Sequence, residues 1–159
     1  MIPSFDLSAI IQQAGGRFVS GDELDQATAF LVDWHQARAN PFGVLLDRER
    51  IVLATVGGSK AAASLSVNGR GLWLTGYDFQ NSIGGSGCEP SVWHGIAYHS
   101  RDDALRAKAE HAYRWFSLKA TSTSCSISQA CKREAEKMLE LLDRVINPPT
   151  PQPTQLSLF

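Results

Sequence analysis

Ala63-Ser64-Leu65-Ser66-Val67-Asn68-Gly69-Arg70-Gly71-Leu72-Trp73-Leu74-Thr75-Gly76-Tyr77-Asp78-Phe79 is the stretch on which the fold turns. Two runs rich in β-branched, aromatic and small residues, 63–67 and 71–79, flank Asn68-Gly69. Both of those residues tolerate positive φ, so the pair suits a hairpin turn that matches the right-handed twist of its strands. The two runs are therefore expected to be antiparallel neighbours. Similar short runs at 43–46, 51–56 and 92–98 read as further strands. The connection 47–50 suggests a second hairpin, although Asp-Arg-Glu-Arg is a poorer turn sequence. Residues 81–90, Asn-Ser-Ile-Gly-Gly-Ser-Gly-Cys-Glu-Pro, are polar and glycine-rich and read as one long loop.

Helical patterns flank this β-rich middle. Asp6 can cap a short helix over 7–14 that Gly15-Gly16 would stop. Ser20 and Glu23 form a capping box ahead of Leu24, Ala27, Leu31 and Trp34, with Asn40-Pro41 closing that helix. Ser100 to Asp103 opens a third helix, whose inner face is read as Leu105, Ala109, Ala112, Trp115 and Phe116. Ser126 to Gln129 is a second capping box, opening a helix that buries Ile127, Cys131, Met138, Leu142 and Val145. Strands grouped in mid-chain with helices at both ends predict an α+β fold: an antiparallel sheet of four to five strands, covered by helices on one side. The division expected is one globular domain over 1–147, a proline-rich linker over 148–154 and a short linear motif over 155–159.

Composition narrows the function. With 159 residues and 43% apolar content, one domain can bury a core without disulfide or metal staples. Fifteen basic against sixteen acidic residues give a net charge of −1, which disfavours a free-standing duplex-DNA binder, since such affinity rests on phosphate neutralisation. Cys88, Cys125 and Cys131 are odd in number and scattered, as suits reduced thiols. Residues 1–6 carry no signal-peptide pattern, and no apolar run approaches the roughly 18 residues of a membrane span. A cytoplasmic protein with no membrane partner is expected.

The most specific feature is the tail. Residues 147–154 hold four prolines, which favour an extended spacer of about 20 Å. Gln155-Leu156-Ser157-Leu158-Phe159 follows. This pentapeptide resembles the Gln-Leu-(Ser or Asp)-Leu-Phe motif with which polymerase subunits, translesion polymerases, mismatch-repair proteins and replication regulators bind the bacterial DNA-polymerase sliding clamp. All five positions agree. The resemblance implies the clamp as partner, with DNA reached through it. It further implies Gln155 at a polar rim, Leu156 on a shallow apolar surface, Ser157 facing outward, and Leu158 with Phe159 in a deep hydrophobic pocket. It covers five residues and implies nothing about 1–147.

The body offers candidates of lower specificity. Cys88, His94 and His99 are the residue types of a thiolate, a base and an orienting group, or of a zinc site, but their spacing matches no established motif. No cofactor or metal is expected, and a non-enzymatic role is favoured. Trp73, Tyr77 and Phe79 share one strand face by the period-two rule, and with Arg70, and Arg48 and Arg50 nearby, they are candidates for stacking on unpaired bases. Core packing is the competing explanation for the aromatics. Gly84 to Gly87 offer amides for an anion, or simply a wide turn. The stretch from Tyr77-Asp78-Phe79 to Gly87 resembles small proteins of bacterial mobile elements, with no family assigned. Two functions follow: a clamp-bound accessory or regulatory protein, and, as the alternative, a clamp-recruited DNA-processing enzyme or single-stranded nucleic-acid-binding module.

Overall fold

The computed structural model describes residues 1–16 and 20–149. The linker from Thr150 onward and the whole pentapeptide lie outside the described residues. The order of elements is β1 (Phe5–Asp6), α1 (Ser8–Gln13), α2 (Asp22–His35), β2 (Glu49–Val56), β3 (Ser59–Val67), β4 (Trp73–Gln80), β5 (Gly85–Cys88), β6 (Ile96–Ala97), α3 (Arg101–Ala120) and α4 (Gln129–Ile146). The fold is α+β. Strands β2-β3-β4-β5 form an antiparallel meander in chain order, and β1 pairs with β6 separately.

The β3–β4 pairing expected from the sequence is present, with Val67 opposite Trp73 and Lys60 opposite Gln80. Its turn is longer than the two-residue form. Asn68 is buried, and its Oδ1 accepts from the amides of Arg70 (3.0 Å) and Leu72 (2.9 Å), so the side chain builds a wider loop in which Gly71 takes φ +75°. The two-residue turn sits instead at Gly57-Gly58, between Val56 and its partner Ser59, where Gly57 has φ +56°.

Three strand expectations are corrected. Residues 43–46 make only isolated bridges, Val44 to Ser91 and Ala39 to Leu45, so 47–50 joins no hairpin and Glu49 already belongs to β2. Residues 92–98 shrink to the Ile96–Ala97 pair. Conversely, the supposed loop 81–90 contains β5. Its start is set by Asn81, whose Oδ1 accepts from Ile83 (3.0 Å) and Gly84 (2.9 Å) while its amide donates to the Gly84 carbonyl (2.9 Å).

Helix caps differ similarly. Gly21, not Ser20, precedes α2, with φ +59° and no side-chain cap, which leaves the Ser20/Glu23 capping box unmade. α2 ends at His35, with Gln36 left-handed at φ 49°. Ser100 caps α3 by accepting from Asp103 N at 3.1 Å, as read. Ser128, not Ser126, caps α4 by accepting from Cys131 N at 3.1 Å.

Helices α3 and α4 pack on one face of the sheet, where Ala54, Ala61, Phe79, Ala112, Phe116, Ala135, Met138 and Leu142 make one buried cluster. Ala63, Leu65 and Ala104 extend it towards the start of α3. Alternation along β4 sends Leu74 to the opposite face. There Leu72 and Leu74 join Leu7, Ile11, Leu31, Leu45, Val92 and Ala97 in a second cluster that seats α1 and α2. Cover is thus two-sided at the start of β4, because that strand is apolar on both faces. Among the described residues no helix is long and apolar enough to cross a membrane.

Candidate functional site

β4 hands over to β5, and the chain leaving β5 crosses directly over β4 at Gly76. A Cβ at Gly76 would run into the Cys88 carbonyl oxygen and stand 2.8 Å from Glu89 C and Pro90 Cδ. This close crossing puts Cys88 at the end of an edge strand and carries His94 to the same neighbourhood. Thr75, Cys88, His94, Gly95, Ile96, Tyr98 and Lys108 line one open cavity of about 240 Å³. The sequence thus named two of its members, Cys88 and His94. His99 lies elsewhere: it is exposed and meets the edge of Phe5 with ring centroids 6.0 Å apart.

The chemistry of this cavity does not favour an activated thiol. Loss of solvation against its neighbours raises the Cys88 thiol above its ordinary range; a backbone hydrogen bond from Tyr77 and the Lys108 charge pull the other way without prevailing. Burial lowers Lys108, and Arg114 adds to that effect. Among the described residues no group of three or more His, Cys, Asp or Glu side chains is placed to hold a metal ion.

The aromatic candidates separate in the structure. Trp73, Tyr77 and Phe79 share a strand face, as read, but it is the face beneath α3 and α4. Phe79 is fully buried, with ring centroids 4.7 Å from Tyr77, 5.0 Å from His111 and 6.1 Å from Trp115. Trp73 is half-buried against the cluster of Ala63, Leu65 and Ala104. Phe79 is therefore closed to any base, and the three do not form an open platform. Arg70 is distant in role: its guanidinium lies 4.4 Å from the Trp34 ring centre and donates to the Trp34 carbonyl, tying the β3–β4 turn to α2. Arg50 is paired with Asp78, and Arg48 with Glu89 at 3.1 Å. The amides of Ile83 and Gly84 are taken by Asn81, and residues 85–88 run extended as a strand paired with β4 rather than curling into an anion nest.

Tyr77, like Trp73, stays half-open, and it lies against β5. Its hydroxyl meets Ser86 Oγ at 3.2 Å, its ring is 4.6 Å from His111, and Lys108 Nζ lies 5.7 Å from its centre. Lys108 and His111 were missed in the sequence because both sit within an amphipathic helix, where charged residues usually mark only a solvated face. The 108, 111, 115, 119 spacing of basic and aromatic residues was the available signal.

Comparison with protein-family models, with curated proteins and with solved structures returned no match for this chain.

Proposed function

We propose that this chain is an accessory or regulatory protein of bacterial DNA replication and repair that docks on the polymerase sliding clamp. The observation that carries this reading is the pentapeptide Gln155-Leu156-Ser157-Leu158-Phe159, placed after a run of prolines. Nothing among the described residues of the body competes as an equally specific signal: the Cys88 thiol is raised rather than activated, and the cavity beside it is small and open.

The physical account rests on two anchors. Burying Leu158 and Phe159 contributes roughly 1.5–3 kcal/mol each, and ordering the tail offsets much of the total. Affinity in the micromolar range, about 8 kcal/mol, is expected, which suits reversible recruitment. Calorimetry of the full chain against purified clamp tests this. The wild type should bind, and Leu158→Ala with Phe159→Ala should abolish binding while circular dichroism stays unchanged. Equal binding by both proteins would refute the proposal. The likeness of 77–87 to mobile-element proteins suggests competition with host replication factors as the setting. In that case excess protein displaces a polymerase from clamp-loaded DNA.

A further inference from the structure

Helices α3 and α4 cover β2, β3 and β4 and stop short of β5, whose four residues are all exposed. β5 is also the end strand of its sheet, with β4 on one side and no strand on the other among the described residues. The overhang leaves a shelf. Its floor is Ser86 and Cys88 with Tyr77, and its wall is the α3 face carrying Lys108, His111, Trp115 and Lys119. Those four recur at intervals of three, four and four, so they align along the helix over about 16 Å.

Two cavities mark the ends of this shelf. At one end Lys108 stands beside Cys88 and His94. At the other, Trp115 and Lys119 face Asn81, Ile83, Gly84, Gly85, Ser126 and Ile127 across about 290 Å³. The Tyr77–Ser86 contact, with Lys108 and His111 against the Tyr77 ring, joins them. Each cavity is smaller than the roughly 300–1,000 Å³ usual for an enclosed small-molecule pocket. An extended ligand fits this shape better.

The charge of the shelf selects the ligand's sign. Lys108 is half-buried and Lys119 lies 4.9 Å from the Trp115 ring centre, and neither joins an ion pair among the described residues. The nearby acids are engaged elsewhere, Glu110 with Arg106 at 3.7 Å and Glu89 with Arg48. Arg114 adds a third cation close enough to lower both Lys108 and His111. A cationic stripe interleaved with aromatic rings, on a chain of net charge −1, is local rather than general positive charge. Lysines about 16 Å apart along the helix suit phosphates that are not adjacent, and Tyr77 and Trp115 between them suit the flat faces of the intervening unpaired bases.

We infer that the shelf between β5 and α3 binds a short stretch of single-stranded nucleic acid, with Lys108 and Lys119 on phosphates and Tyr77 and Trp115 against bases. It stands independently of the clamp-docking tail, so either reading can fail alone.

The test uses the full chain without clamp. Fluorescence anisotropy of a labelled oligodeoxythymidine is followed between about 50 and 200 mM NaCl. Two phosphate contacts predict a slope of log affinity against log salt of about −1.4, falling to about −0.7 in Lys119→Gln. Lys108→Gln with Lys119→Gln should weaken binding at least about tenfold, since two ionic contacts are lost. Arg133→Gln, on the exposed side of α4, should leave both affinity and slope unchanged. Circular dichroism melts check that the variants fold, and Lys119→Gln keeps the test open should the Lys108 substitution unfold the chain. Unchanged affinity in Lys119→Gln would overturn the inference. So would competition by polyglutamate as strong as by unlabelled oligonucleotide, which would mark the shelf as a site for acidic peptides, or equal affinity for a duplex of the same length.

Discussion

His35 Nδ1 and Asn68 Nδ2 meet at 2.8 Å inside the protein, with His35 only 1% exposed and Asn68 5%. The partners of Asn68 settle the proton. Its Oδ1 already accepts from two amides, so its Nδ2 must donate, and His35 Nδ1 is the bare acceptor. The imidazole proton then lies on Nε2, hydrogen-bonded to the Val92 backbone. Burial pushes His35 down to about 4; the Val92 bond opposes this and the Arg70 charge assists it.

The sign of the pH effect follows. In the unfolded chain His35 takes a proton near its ordinary 6.5, whereas in the native state it resists down to about 4. Full stability is present above 6.5 and declines as pH falls towards 4, by at most about 3 kcal/mol. Glu49 and Asp78, held low by Arg101 and Arg50 respectively, lose their contribution only at pH below their unfolded values, mostly beneath this window. Half-buried His111 shifts in the same direction as His35, so a variant is needed to isolate His35. Urea unfolding at both ends of the window should show a smaller pH difference in His35→Phe than in wild type. That variant should also lose about 1–3 kcal/mol at neutral pH, because Asn68 Nδ2 is orphaned. An unchanged pH difference would show that His35 titrates normally.

Gly76 is required by the crossing chain rather than by its own backbone angles. Gly76→Ala forces Cβ into backbone atoms of Cys88 and Glu89, which cannot swing aside as a side chain could. A cost of about 1–3 kcal/mol is expected, with faster modification of Cys88 as β5 lifts. Gly84→Ala, where a Cβ meets open space, should stay within about 0.5 kcal/mol of wild type. Thermal melts of the two variants that coincide would remove the crossing as a constraint.

Features written in adjacent residues were legible in the sequence. Ser100 with Asp103, and Val67 and Trp73 around Asn68, needed only local chemistry. β5 was not legible because Gly85-Ser86-Gly87-Cys88 has no strand preference of its own. It is extended because β4 offers a ladder, Tyr77 opposite Cys88 and Gln80 opposite Gly85. The reverse holds for 92–98, whose β-rich composition meets a partner only at Phe5–Asp6 and an isolated bridge from Tyr98 to Trp73. The candidate site was half legible for the same reason. Cys88 and His94 are neighbours in sequence and share a cavity, whereas Lys108 joins them only through the packing of α3 on β4.

Phe79 separates core from ligand surface. It has no exposure and lies among Tyr77, His111 and Trp115, so Phe79→Ala should lower stability by about 3–5 kcal/mol. Denaturant titration measures this. Near-wild-type stability would mean that the ring does not sit in the packed centre, and would restore Phe79 as a candidate for base stacking.

The start of α4 gives a direct contest between two serines two residues apart. Ser126 satisfies the capping-box pattern with Gln129, but in the fold its hydroxyl meets Ser124 Oγ at 2.8 Å. Ser128 instead has extended backbone angles, φ −68° and ψ 158°, and its Oγ accepts from Cys131 N. The reason lies one turn further on. Cys131, Ala135, Met138 and Leu142 are the buried face of α4, and starting the helix after Ser128 leaves the Cys131 amide among its unsatisfied first donors. Ser128→Ala should therefore cost about 1 kcal/mol, and Ser126→Ala a few tenths at most. Equal losses in paired urea titrations would place the helix start earlier, at the position that the sequence pattern alone selects.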